Sequence, residues 1–400
     1  MNSTQQNNPA RLIALMVILV LFSPMAIDIY LPAIPQMAAD FNVNPVLVQD
    51  TVTLFMISLG AGQLFAGPLA DRLGRRTVAI AGIAIYFVSS GLAYVAQSLD
   101  ALLIARVLQG LGACATSVCA FAAVRDTFGA KRSGQMISYL NGAICFVPAL
   151  APLLGSWLTH HFGWRANFSF MLIYALIGLV LVSVFFRETR PADTDSSGPL
   201  FSPARYSAVL REPVFLYHAS LCLLAMAVII AYVTSAPSWL ITHKGLTMEA
   251  FTKWFAANAV LNITAAMTAP KFMDRYGSRR ALNLGLTLLV GSGALMMLLA
   301  PLDSALSFML PIFISSFGFA WVLGAAAGKA LEPFGQRAGT AAALLGLFQM
   351  TGAGALVSAT QRLHLDAPAL MTLHMVLLLP TLLLLWSATG KRLHSACLPE

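Results

Sequence analysis

Twelve stretches of about 20 or more predominantly apolar residues follow one another along this 400-residue sequence. A backbone immersed in lipid must satisfy its own polar groups, so stretches of that length and composition become membrane-crossing helices. They fall at 11–34, 46–70, 77–96, 101–123, 134–158, 165–187, 214–236, 250–272, 279–300, 306–329, 338–361 and 368–390. Only 10% of the residues are charged, against roughly 25% in a soluble domain. The expected fold class is therefore all-α integral membrane, with no room for a sizeable soluble domain. The opening MNSTQQNNPA has neither a charged leader nor a cleavage site, so the first stretch is expected to be a retained helix.

The connection Gly67-Pro-Leu-Ala-Asp71-Arg72-Leu-Gly74-Arg75-Arg76 packs charge between the second and third stretches, and such a run cannot sit in hydrocarbon. Its pattern returns 203 residues later as Asp274-Arg275-Tyr276-Gly277-Ser278-Arg279. An offset of half the chain predicts two pseudo-symmetric six-helix bundles, 1–187 and 214–400. The segment 188–213, rich in Pro, Ser and charge, reads as a cytoplasmic linker. Its second part, about 204–212, fits either a short surface helix or a plain tether.

The formal net charge is +8, yet the basic residues form no cluster suited to nucleic acid. With the N-terminus inside, 19 Lys and Arg residues fall in cytoplasmic connections and four (Arg165, Lys244, Lys253, Arg362) outside. That bias sets the orientation and an even number of spans, with both termini cytoplasmic. The five cysteines lack ligand spacing, and no histidine belongs to an i, i+4 pair or an acidic cluster. Neither a metal nor any other cofactor is expected.

Two charges lie inside predicted spans, Asp28 in the first and Arg106 in the fourth. Each costs roughly 2.5–3.5 kcal/mol at a span centre, so each needs a reason to be there. Counting residues from the outer ends puts both about 9–10 Å below the outer face, where they are placed to pair. A pair there reads either as a lock between two helices or as a proton site, with Asp28 binding the proton and Arg106 holding the ionised form. Pro24, Pro32 and Pro35 flank Asp28 and break the helix around it. The fifth span has the same character, with Gly142, Pro148, Pro152 and Gly155.

Weaker candidates for a substrate cavity are Tyr30, Gln109, Asn141, Asn258, Asn262 and Gln349, together with Phe317 and Trp321 from an aromatic stripe that begins at Phe313. Such a stripe also suits plain packing or lipid contact. Small residues spaced by four, as in Gly324-Ala-Ala-Ala-Gly328, mark close helix packing.

On these motifs the chain resembles the major facilitator superfamily, and more narrowly its drug/proton antiporters of the Bcr/CflA type. GPLADRLGRR is similar to the signature between the second and third helices, and ARVLQGLGA to the fourth-helix signature with its proton-linked Arg, here Arg106. Gly142–Leu158 resembles the antiporter signature, although Ser156 stands where the second of two glycines is usual. MAIDIYLPAIP and ALEPFGQRAGTAAALLG resemble stretches that set the subgroup apart. The resemblance implies rocker-switch alternating access, with Asp71, Arg75, Arg76 and Asp126 latching the cytoplasmic side in the outward-open state.

The function expected is proton-driven efflux of small, apolar, neutral or zwitterionic compounds, such as chloramphenicol-like antibiotics, across a bacterial inner membrane by a monomer. The partners expected are the drug substrate, protons and the lipid bilayer. The alternative is proton-coupled export of a sugar, an amino acid or a siderophore. An enzyme is not expected, because the spans hold no nucleophile with its base.

Overall fold

The computed structural model describes residues 9–191, 203–334 and 338–395, and within these every regular element is helical. The first helix, α1 (Pro9–Asp28), stops at Asp28; a 3₁₀ turn at Leu31–Ala33 and the short α2 (Ile34–Asp40) complete the crossing. The helix is thus broken next to Asp28, as the flanking prolines led one to expect. Pro32 has no N–H to bond the Asp28 carbonyl, and its ring crowds the preceding turn. Helix α3 (Pro45–Leu73) starts where the Asn44 side chain accepts the Val46 N–H at 2.9 Å, and Pro45 supplies the first helical φ.

The turn from α3 to α4 (Arg75–Val95) pivots on Gly74 at φ 97°, and the repeat pivots on Gly277 at φ 86°. Both lie in the left-handed region that other residues avoid, which is why glycine recurs in the motif. A second repeat appears in the packing. A Cβ on Gly112 would lie 2.6 Å from the Gly82 carbonyl, and one on Gly318 would lie 2.7 Å from the Gly285 carbonyl. Equivalent helices in the two halves therefore approach backbone to backbone at equivalent places.

Where two spans joined by a loop were expected over 101–158, helical backbone runs from Leu99 to Phe162 as α5. A straight helix of that length would reach about 96 Å. Yet Arg106 near its start bonds the Ala26 carbonyl, and a Cβ added to Gly155 near its end would lie 2.6 Å from the Ile29 carbonyl carbon. Asp126 between them reaches Arg75 at the opposite surface. The chain therefore turns back between Asp126 and Ile144, and α5 supplies two antiparallel limbs. Helix α6 (Arg165–Phe185) closes the first bundle.

The linker carries α7 (Pro203–Leu210), the short helix rather than the plain tether, and its Tyr206 hydroxyl donates to the Leu64 carbonyl at 3.0 Å. The second bundle contains α8 (Pro213–Pro237), α9 (Met248–Tyr276), α10 (Ser278–Leu299) and α11 (Ala305–Leu331). After α12 (Ala338–Gly346) a π-helical turn at Leu347–Gly352 leads into α13 (Ala353–Gln361). The last crossing is divided into α14 (Ala367–Val376) and α15 (Leu379–Trp386), because Pro380 interrupts the bonding at their junction; α16 (Ala388–Ser395) follows.

Among the described residues ten helices are long and apolar enough to cross a membrane by length and composition alone. The return limb of α5 and the 29-residue α9 complete the twelve. Helix α9 is less apolar because it carries Asn258, Asn262 and several threonines. The two bundles meet where α3 packs on α12, α13 and the π-helical turn, and where α5 packs on α9.

Candidate functional site: a central cavity and its surroundings

Between the bundles lies a cavity of about 700 Å³, walled by α1, α3 and the return limb of α5 on one side and by α8, α9, α11 and the π-helical turn on the other. Six of its 28 lining side chains are polar or charged: Ser23, Asp28, Tyr232, Asn258, Asn262 and Gln349. Asp28 is the sole ionisable carboxyl among them, 5% exposed. Among the described residues no hydrogen bond or ion pair reaches that carboxyl. It sits on the last residue of α1, where the proline-induced break turns the chain away.

The break has a second consequence. Tyr30 lies outside the helix, so the Ala26 carbonyl keeps a free lone pair, and Arg106 Nη2 donates to it at 2.9 Å. Arg106 Nε donates to the Thr51 carbonyl at 3.1 Å, and Nη1 donates to Gln109 Oε1. The guanidinium is flanked by the rings of Phe55 (4.4 Å) and Tyr30 (4.9 Å) and is fully buried. The planar fork of Arg is thus used in three directions, tying α1, α3 and α5 together. The expected pairing with Asp28 does not occur, because backbone carbonyls, an amide and two rings already surround the cation.

Several expected cavity residues serve this cluster instead. Tyr30 shares a hydrogen bond with Thr51 Oγ1 at 2.8 Å, and Gln109 Nε2 donates to Ser90 Oγ at 2.8 Å; both are fully buried and neither lines the cavity. Phe317 and Trp321 are also absent from the cavity wall, Trp321 stacking on Phe272 at 4.4 Å. The wall uses Phe319 and Ala320, because the helix period turns the Phe313 stripe to another face. Asn258, Asn262 and Gln349 line the cavity, as does Pro148. The side chain of Asn141, like Gly142, lies outside the described residues. Ser23 and Tyr232 are polar cavity residues that no pattern in the sequence marked.

At the surface near the first loop, Arg75 Nη1 meets Asp71 Oδ1 at 2.6 Å and Arg75 Nε meets Asp126 Oδ2 at 2.9 Å. Arg76 does not join Asp126 but donates through Nη2 to the Ser183 carbonyl at 2.7 Å. Two linker residues, unremarked in the sequence, complete the cluster. Glu188 accepts the backbone N–H groups of Arg75 (2.8 Å) and Arg76 (3.1 Å), and Arg190 Nη1 donates to the Arg72 carbonyl at 2.7 Å. Burial acts to raise the Glu188 carboxyl, but four backbone N–H bonds outweigh it and hold the group below its ordinary range.

On the opposite side the bundles are bonded to each other. Gln361 Nε2 donates to Gln49 Oε1 across the bundles and to Thr234 Oγ1 within its own, each at 2.8 Å. Ser358 Oγ donates to Asp50 Oδ1 at 3.2 Å, and Arg362 approaches Asp50 Oδ2 at 3.9 Å. These contacts tie α3 of the first bundle to α13 of the second at this end. Toward the other end the cavity wall continues to Met273, next to Asp274 of the second loop.

Comparison with known proteins agrees with this architecture. The family model for the Major Facilitator Superfamily matches residues 16–357. A multidrug resistance protein MdtL of Escherichia coli O81 (strain ED1a) is 33% identical over 334 residues, 84% of either chain. One from Shigella boydii serotype 18 is 32% identical over the same share. Among solved structures, a D-xylose-proton symporter superposes with a TM-score of 0.77 at 17% identity, covering 94% of this chain and 97% of its own. The human organic anion transporter MFSD10 gives 0.69 at 19% identity, covering 95% and 100%.

Proposed function

This chain belongs to the major facilitator superfamily, and from that premise we propose that it exports small, largely apolar compounds in exchange for protons. It is a transporter and not an enzyme, a multi-pass protein of a bacterial inner membrane. The observation that carries the proposal is the Asp28 carboxyl, without a partner, in the wall of a large and mostly apolar cavity. A carboxyl that no basic group neutralises is available to take up and release a proton, and a guest seated beside it competes with that proton. Arg106 then acts as a positioning residue that holds the broken end of α1 and so the place of Asp28. Bundles 1–187 and 214–400, joined by 188–213, rock about the cavity, with the Asp71–Arg75–Asp126 cluster stabilising one cytoplasmic arrangement.

The lining favours drug efflux over metabolite export. A sugar would leave most of its hydroxyls unpaired against a wall with six polar side chains in 28. The relatives named for multidrug resistance support the same reading. The test is growth of a strain overexpressing the protein against a panel of antibiotics, with dye efflux measured before and after a protonophore. Resistance to several apolar antibiotics, lost with the proton gradient, is expected; protection against none of them overturns the proposal. The orientation follows from reporter fusions, which should read outside after residues 45 and 365 and inside after 200.

A further inference from the structure

The two loop motifs are alike in sequence but meet different partners. In the first bundle Glu188, just beyond the end of α6, accepts the backbone N–H groups of Arg75 and Arg76 at the start of α4. The chain there supplies its own anion to a positively charged helix start. In the second bundle Arg279 and Arg280 stand in the first turn of α10, which contains no acidic residue. The stretch after α15 corresponds to the one after α6, and the offset of the repeat sets Lys391 against Glu188. No acid occurs between Asp366 and Glu400. Among the described residues no carboxylate bonds to Arg279 or Arg280: Arg279 Nη2 donates to the Leu385 carbonyl at 3.3 Å, and the Arg280 side chain has no partner. Both guanidiniums line a pocket of about 480 Å³ with Tyr276, Asn283, Leu385 and Trp386. Asn283 Oδ1 accepts the Trp386 indole N–H at 2.6 Å, which holds that ring in place. Tyr276 and Trp386 are exposed, and so are Leu284, Leu383 and Leu384 beside the pocket. Bare leucines on a membrane helix face acyl chains, and Trp and Tyr next to them mark the level of the headgroups.

We propose that this pocket binds the phosphate of an anionic phospholipid, with Arg279 and Arg280 as its donors. Guanidinium forks match phosphate oxygens in geometry as well as charge, and basic pockets between membrane helices recognise headgroups in this way. The lipid then gives the second loop what Glu188 gives the first, an anion that offsets the cations gathered at the helix start. A free phosphate ion carries the same oxygens but no chain to cover the leucines beside the pocket, so the lipid is the better fit. The pocket shares no residue with the central cavity, and the proposal does not depend on what that cavity transports.

Native mass spectrometry of the detergent-purified protein, titrated with dioleoyl phosphatidylglycerol, dioleoyl phosphatidylcholine or inorganic phosphate, tests the assignment and separates its sources. The parent should bind the anionic lipid in preference to the zwitterionic one, and inorganic phosphate at the same concentration should not displace it. Arg280→Gln breaks no bond within the protein and should weaken phosphatidylglycerol binding about fivefold, and the double variant with Arg279→Gln should weaken it further. Lys271→Gln removes the same charge from an exposed position on α9 outside the pocket and should change binding by less than about twofold. The Arg280→Gln protein should unfold at the parent's temperature in lipid-free detergent, so that a lost site is not mistaken for a lost fold. Equal losses in Arg280→Gln and Lys271→Gln would reduce the site to diffuse surface attraction and overturn it, as would equal binding of the two lipids. Displacement of phosphatidylglycerol by an equal concentration of inorganic phosphate would overturn the lipid and leave an anion site alone.

Discussion

Arg106 donates to the Ala26 carbonyl at 2.9 Å, two residues before Asp28, so the buried cation is joined to the acid through a stretch of broken helix and not through an ion pair. The two charges identified in the sequence therefore have separate employments. Arg106 is spent on structure, and Asp28 is left facing the cavity.

Stability should separate them. Arg106→Met leaves the Ala26 carbonyl and the Gln109 amide without their charged donor in a fully buried site, and should destabilise the protein by about 3 kcal/mol. Asp28→Asn breaks no bond and should stay within about 0.5 kcal/mol of the parent. Thermal unfolding of detergent-purified variants reads both; equal losses would mean that the acid is structurally tied after all.

Coupling should follow Asp28. Exchange of one proton for a neutral molecule moves one net charge, worth about 2.3 kcal/mol per 100 mV of membrane potential. Asp28→Asn should abolish substrate-induced proton release in proteoliposomes while substrate binding persists. Undiminished release would place the proton site elsewhere.

At the Asp71–Arg76 loop, which we propose faces the cytoplasm, Asp126 should matter more than Asp71. Their side chains are 12% and 50% exposed, and a shielded charge partner is harder for water to replace. In a protein stripped of its native cysteines, Ser23→Cys reports access to the cavity. Asp126→Asn should raise its labelling from the cytoplasmic side more than Asp71→Asn does; the reverse order would remove Asp126 from the latch.

The contacts at the opposite end give a complementary expectation. Gln361→Ala deletes the bond to Gln49 across the bundles, worth about 1 kcal/mol, and should raise labelling of Ser23→Cys from outside about fivefold. A rate equal to the parent's would show that this bond does not hold the bundles together at this end.

The C-terminal helix should respond to pH. His394 Nδ1 faces His218 Nε2 at 3.1 Å, and Ser278 Oγ lies 3.2 Å from its Nε2. Burial, then His218, then the nearby Lys329 and Arg279 hold His394 at about 4, below its ordinary 6.5. The undocked helix therefore binds the proton more readily than the docked one. Docking of α16 is favoured above pH 6.5 and weakens as pH falls toward 4. Hydrogen exchange of residues 388–395 should rise over that window, and His394→Gln should flatten the dependence.

What the amino-acid order determined by itself was whatever the bilayer and local sterics impose. Apolar length set the crossings, the repeated Asp-Arg-x-Gly pattern announced the duplication, and Gly74 and Gly277 could be read as turn residues because only glycine adopts their φ at no cost. Asp28 and Arg106 were legible as exceptional because a charge in hydrocarbon needs a cause. Which partner each charge finds was not legible, since equal depth along two helices says nothing of rotation about their axes. Rotation, together with the break after Asp28, turned Arg106 to Ala26, Thr51 and Gln109 and left Asp28 toward the cavity. The same cause moved Tyr30, Gln109, Phe317 and Trp321 off the cavity wall and brought Tyr232 onto it. The contact of Gln49 and Asp50 with Gln361 and Ser358 joins residues about 310 positions apart. Such pairings arise only from how two bundles dock, and no local pattern encodes them.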